Sequence, residues 1–165
     1  MFAKYYLELP HPAEKVVEAL LSEPPESWLP GHVEAGGRLE NHLLGEVGLL
    51  VGGRRIDRRV EIKVGAPVAL GGALVVPLSW RSASKESLFP KLEADLEVAP
   101  LGPVLTQLSV NARYEPPLAV VGRLIDRTLL HRVMEAVIRD FTERVGAELR
   151  ARLRISKELA LGRPA

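Results

Sequence analysis

Apolar and polar residues alternate from Phe2 to Leu9, with Ala3, Tyr5, Leu7 and Leu9 on one side, and the alternation stops at Pro10. A period of two marks a strand. From Pro12 the period lengthens: Val16, Val17, Leu20 and Leu21 share one helical face through Ser22, and Pro24-Pro25 closes the segment. Glu26 to Leu29 reads as a second short helical turn ended by Pro30-Gly31.

From Leu43 the two-residue period returns and stays. Leu44–Val51 and Arg54–Val64 flank Gly52-Gly53, a glycine pair able to supply the positive φ angles of a tight hairpin. Gly65-Ala66-Pro67 interrupts or bulges the returning strand, and Gly71-Gly72 predicts a second reversal into Ala73–Ser84. Lys91–Ala99 and Val104–Tyr114 are separated by Pro100-Leu101-Gly102-Pro103, a further turn signal. Leu74, Val76, Leu78 and Trp80 share a face, as do Leu92, Ala94, Leu96 and Val98. Val104, Thr106, Leu108, Val110, Ala112 and Tyr114 form a third such row, while Glu93, Asp95, Glu97 and Arg113 point to water. Strands that bury one face only belong to an antiparallel sheet.

Leu118–Leu153 follows Pro116-Pro117 and contains no proline. As a helix it would extend about 50 Å, enough to cover the sheet. Leu130, Met134, Val137, Ile138, Phe141, Val145 and Leu149 form one apolar face. Leu118, Val121, Ile125, Leu129, Val133 and Ala136 form a second, about half a turn away. A helix apolar on two sides is wedged between layers, kinked near Gly122, or turned in part toward a cavity or a partner chain.

The 165 residues, 47% apolar and 26% charged, are expected to form one domain over residues 1–155, with a loose tail over 156–165. A formal charge of +1 provides no long-range attraction to nucleic acid. The chain has no cysteine, so thiolate chemistry is excluded. Met1–Leu9 lacks a signal-peptide pattern and no apolar run is long enough to cross a bilayer, so stable membrane insertion is not expected and the expected compartment is the cytoplasm.

Strand, two short helices, consecutive antiparallel strands and a long C-terminal helix: this order resembles the helix-grip fold of the START-like (SRPBCC) superfamily, which includes polyketide cyclase-like, aromatase-like and coenzyme Q-binding proteins. The stretch from Leu92 to Pro103, followed by Thr106-Gln107-Leu108 and Tyr114-Glu115-Pro116-Pro117, is similar to the last hairpin and helix entry of such proteins. The resemblance implies an α+β fold in which a strongly curved antiparallel sheet wraps the C-terminal helix. It also implies a cavity between the two for a small hydrophobic molecule of lipid-like, quinone or aromatic polyketide type.

Within that frame the candidate ligand-binding residues are Arg58, Leu78, Trp80, Thr106 and Tyr114 from the sheet, with Trp28, Ile125 and Leu129 from the helical segments. Arg58 shares the parity of Ile56, Val60 and Ile62, so it either anchors a ligand anion or escapes to the surface at a bulge. Trp28, Trp80 and Tyr114 either stack on a flat ligand or fill the core. Thr106 either meets a ligand or bonds nearby backbone. His11, His32, His42 and His131 lie in four different elements without metal-ligand spacing, and the serines lack a Gly-x-Ser-x-Gly elbow. No cofactor or metal is expected, and no catalytic residue is assigned. Three functions follow in order: a non-enzymatic ligand-binding protein, a cyclase or aromatase-like enzyme using groups such as Arg58, Tyr114 or His131, and an interaction module that dimerises through the surplus apolar side of the long helix.

Overall fold

A computed structural model describes residues 1–29, 34–35, 42–51, 54–82, 91–115 and 127–161. β1 (Phe2–Leu9) is followed by α1 (Ala13–Leu21) and a single 3-10 turn (Pro25–Ser27). Then come β2 (Glu34–Ala35), β3 (His42–Val51), β4 (Arg54–Val64), β5 (Val68–Leu70), β6 (Ala73–Ser82), β7 (Lys91–Gly102) and β8 (Leu105–Glu115). The last described element is α2 (Arg127–Leu161).

All strand pairs are antiparallel, in the order β1-β8-β7-β6-β4-β3-β2, with β5 also on β6. α2 packs against β1 and β8 near one edge and against β3 near the other. In a flat sheet β1 and β3 would be about 24 Å apart, five strand spacings, whereas a helix is only about 10–12 Å wide. The sheet therefore curls around α2, which is the helix-grip arrangement expected from element order.

Alternation is what places the core. Val76, Leu78 and Trp80 of β6, Leu92, Ala94, Leu96 and Val98 of β7, and Leu108, Val110, Ala112 and Tyr114 of β8 are all buried. They meet the predicted face of α2, where Met134, Val137, Ile138, Phe141, Val145 and Leu149 are at most 1% exposed. Half-buried Val133 and Ala136 belong to the second apolar face, so part of that face is covered within the single chain. Gly146 lets α2 approach β1 closely: a Cβ there would lie 2.8 Å from Leu7 Cδ2.

Several expectations need correction. The expected tail is helical as far as Leu161, because Lys157, Glu158, Leu159 and Ala160 favour helix and no breaker precedes Gly162. The turn expected over Pro100–Pro103 is shorter, since β7 runs to Gly102 across a bulge and only Pro103-Val104 reverses the chain. Val104 is accordingly 67% exposed rather than inward. Gly71 and Gly72 do adopt positive φ, 59° and 84°. The Gly52-Gly53 turn and the kink expected at Gly122 lie outside the described residues.

Gly65 marks a break in the sheet. Its N–H donates to the Pro77 carbonyl at 2.7 Å, and a Cβ would lie 3.0 Å from Pro77 Cβ. Pairing on this side of β6 passes there from β4 to β5.

Candidate functional site

Register aligns Leu43, Ile62, Trp80, Leu92 and Tyr114 as one row across β3, β4, β6, β7 and β8. All five are buried. Trp80 tilts at 50° against Phe141 of α2, with ring centroids 5.3 Å apart. The Trp80 indole N–H is buried without a hydrogen-bond partner.

At the β8 end of the row the polar groups form a chain. The Tyr114 hydroxyl lies 2.8 Å from His131 Nδ1, and His131 Nε2 lies 3.3 Å from Glu135 Oε1 one turn further along α2. A carboxylate beside Nε2 favours the tautomer with its hydrogen there, which leaves Nδ1 to accept the Tyr114 proton. Burial, followed by the negative charge of Glu135, raises the Tyr114 pKa above the usual tyrosine value. Tyr114 is 1% exposed, whereas the side chains of His131 and Glu135 are 39% and 55% exposed. The chain thus links a buried phenol to solvent. Sequence spacing placed His131 and Glu135 one turn apart but offered no sign that Tyr114 would meet them, because β8 and α2 are brought together only by the curl of the sheet.

A hollow on the inner side lies elsewhere. A pocket of about 600 Å³ is enclosed by the end of α1, the 3-10 turn, β3, β4 and β6. Its floor is buried and apolar: Leu20, Trp28, Leu43, Val64 and Val76. Its mouth is formed by exposed Leu21, Glu23, Ala66 and Pro67, with Glu26 half-buried between. The local cause is proline. Pro24 and Pro25 stop α1 after nine residues, and one 3-10 turn follows it beside the hollow. The size falls within the range of small-molecule sites.

The candidate residues therefore separate. Trp28 lines the pocket, 2% exposed. Trp80 and Tyr114 pack in the neighbouring core instead. Leu78 is also buried and borders a separate hollow of about 420 Å³ on the outer face, where Lys63, Glu93, Asp95 and Arg113 mix both signs of charge. Thr106 is fully buried and donates to the His11 carbonyl at 2.7 Å, fastening the segment before α1 to β8. Arg58 pairs with Val47 in the β3–β4 ladder, but its side chain lies outside the described residues. The same holds for Leu129, which is within α2, and Ile125 lies wholly outside them. Among the described residues no group of histidine and carboxylate ligands could hold a metal.

Leu20, Leu43, Val64, Val76 and Glu26 line the pocket although the sequence does not mark them as ligand-binding residues. The available signal was Pro24-Pro25, which said where α1 ends but not what it leaves uncovered. No helix among the described residues is long and apolar enough to cross a membrane.

No family model matches the sequence, and no curated protein matches it. Solved structures do match in shape. A conserved protein from Geobacillus kaustophilus superposes with a TM-score of 0.61 at 15% identity, covering 92% of this chain and 96% of that one. A START superfamily protein from Mycobacterium smegmatis gives 0.56 at 17% identity, over 94% and 98%. The Zhui aromatase/cyclase from Streptomyces sp. R1128 gives 0.52 at 14% identity, over 95% and 93%.

Proposed function

We propose that this chain, whose fold is START-like, binds a small, largely apolar molecule in the pocket beneath α1 and the 3-10 turn. The observation that carries this reading is the pocket itself: about 600 Å³ with a floor of Leu20, Trp28, Leu43, Val64 and Val76. A ligand that covers the apolar surface still accessible in the pocket gains about 25 cal/mol per Å² of it. Trp28 makes binding observable, because a ligand on the floor changes its emission.

The test is native mass spectrometry with Trp fluorescence over a panel of lipids, quinones and aromatic polyketides. One molecule per chain is expected for at least one class, and Val76→Trp, which places an indole across the floor, should weaken binding while leaving the far-ultraviolet circular dichroism essentially unchanged. Absence of binding across the panel, or undiminished binding by the Val76→Trp variant, refutes the proposal.

A further inference from the structure

We infer that β1 is an interface for a second copy of this chain: two β1 strands pair antiparallel about a two-fold axis at Tyr6, with Lys4 of each copy opposite Glu8 of the other. The contact is independent of the pocket, to which β1 contributes no residue.

β1 ends the sheet, bonded to β8 on one side and, among the described residues, to no strand on the other. Met1 and Tyr114 exchange both backbone hydrogen bonds, at 2.9 and 3.0 Å. In an antiparallel ladder such reciprocal pairs recur at every second residue, so Ala3, Tyr5, Leu7 and Leu9 bond β8 while Phe2, Lys4, Tyr6 and Glu8 turn their N–H and C=O groups outward. The same four residues carry exposed side chains on the outer face, with Phe2 at 53% and Tyr6 at 56%. α2 reaches this edge at Glu8, whose carbonyl accepts from Arg150 at 3.2 Å and keeps a second lone pair. A row of free backbone groups beside exposed aromatic rings is a template for another strand.

Charge selects both the occupant and the register. Across β8, Lys4, Tyr6 and Glu8 face Asn111, Ser109 and Gln107, all uncharged. Among the described residues neither Lys4 nor Glu8 forms an ion pair. An axis at Lys4 or at Glu8 would set like charges face to face, and an axis at Tyr5 or Leu7 would set a charge against Tyr6. An axis at Tyr6 sets Lys4 against Glu8 twice and Tyr6 against itself, so the edge is its own complement. Few residue pairs take part, and the dimer is therefore expected to be weak, with a dissociation constant on the order of 100 μM.

Sedimentation velocity at low salt, from about 1 μM to about 500 μM, should show monomer giving way to dimer. Over the same range the Lys4 and Tyr6 amides should exchange with solvent at least ~10-fold more slowly in the dimer. Glu8→Lys, an exposed position where circular dichroism should be unchanged, should weaken association at least ~10-fold, and adding Lys4→Glu should restore it to within ~3-fold. A monomer throughout the range overturns the inference. So does a dimer that leaves the Lys4 and Tyr6 amides unprotected, that survives Glu8→Lys, or that the double variant does not restore.

Discussion

Two halves of the concave face differ in what covers them. Under α2 the inner face of the sheet is filled: Trp80, Leu92 and Tyr114 meet Met134, Ile138 and Phe141, none of them more than 1% exposed. Under α1 and the 3-10 turn, Leu43, Val64 and Val76 belong to the same curved sheet yet border a hollow of about 600 Å³. The strands are equally apolar in both halves. The difference comes from the lid: 35 residues of continuous helix on one side, nine residues ended by prolines on the other. Here the hollow on the concave face lies where the covering element is short, not where the sheet changes.

The sharpest way to break this comparison is truncation in each half. Phe141→Ala removes a ring packed on all sides and should cost about 3–5 kcal/mol in denaturant unfolding. Val76→Ala removes two methyl groups beside the hollow and should cost less, about 1–2.5 kcal/mol. Equal losses per methylene removed would mean that the pocket wall is as tightly packed as the core.

A smaller effect concerns the polar seam at the edge of the filled half. His131→Ala leaves the buried Tyr114 hydroxyl without its acceptor and should cost about 1–3 kcal/mol, more than the roughly 1 kcal/mol expected for Tyr114→Phe, because the half-exposed His131 can turn to water. Tyr114 also sets an alkaline limit. Its pKa is raised by burial and by Glu135, so the folded state holds the proton more tightly than the unfolded chain. The stabilisation is complete below the ordinary tyrosine value near 10 and is lost as pH rises from there through the raised folded value. Tyr114→Phe should flatten the fall in melting temperature above about pH 10. An identical fall in the variant would show that another group is responsible.

The smallest expected change lies on the far side of α2. Gly146→Ala should gain about 1 kcal/mol from helix propensity and lose a comparable amount by pressing on Leu7, leaving a net change within about 1 kcal/mol. With Leu7→Ala the propensity gain should reappear in a double-mutant cycle.

How legible this molecule was depends on which contacts define each part. β1, β7 and β8 were readable because each buries one face, so the period of two is printed along Phe2–Leu9 or Lys91–Ala99 without reference to any partner. Leu130–Leu149 was readable for the same reason at a period near 3.6. Two-residue β2 and three-residue β5 are too short to show a period. The pocket was not legible, since its wall combines Leu20, Trp28, Leu43, Val64 and Val76 from five separate stretches, and its existence depends on a lid that is too short. Trp28 was foreseen as an aromatic held by a proline-flanked turn. Trp80 and Tyr114 obey the same parity rule as pocket residues would, and parity alone does not distinguish a wall that faces a helix from one that faces a void.

The Gly65–Pro77 break has a kinetic consequence. β5 is a three-residue flap whose side chains are all exposed, joined to the rest of its track through Gly65-Ala66-Pro67, and those three residues also border the pocket. Its ladder with β6 can unzip without disturbing β4, so amide protons of Val68–Leu70 should exchange with solvent far sooner than those of Val60–Val64. The sheet edge beside the hollow would then breathe at the rate set by that local opening, while β4 stays paired.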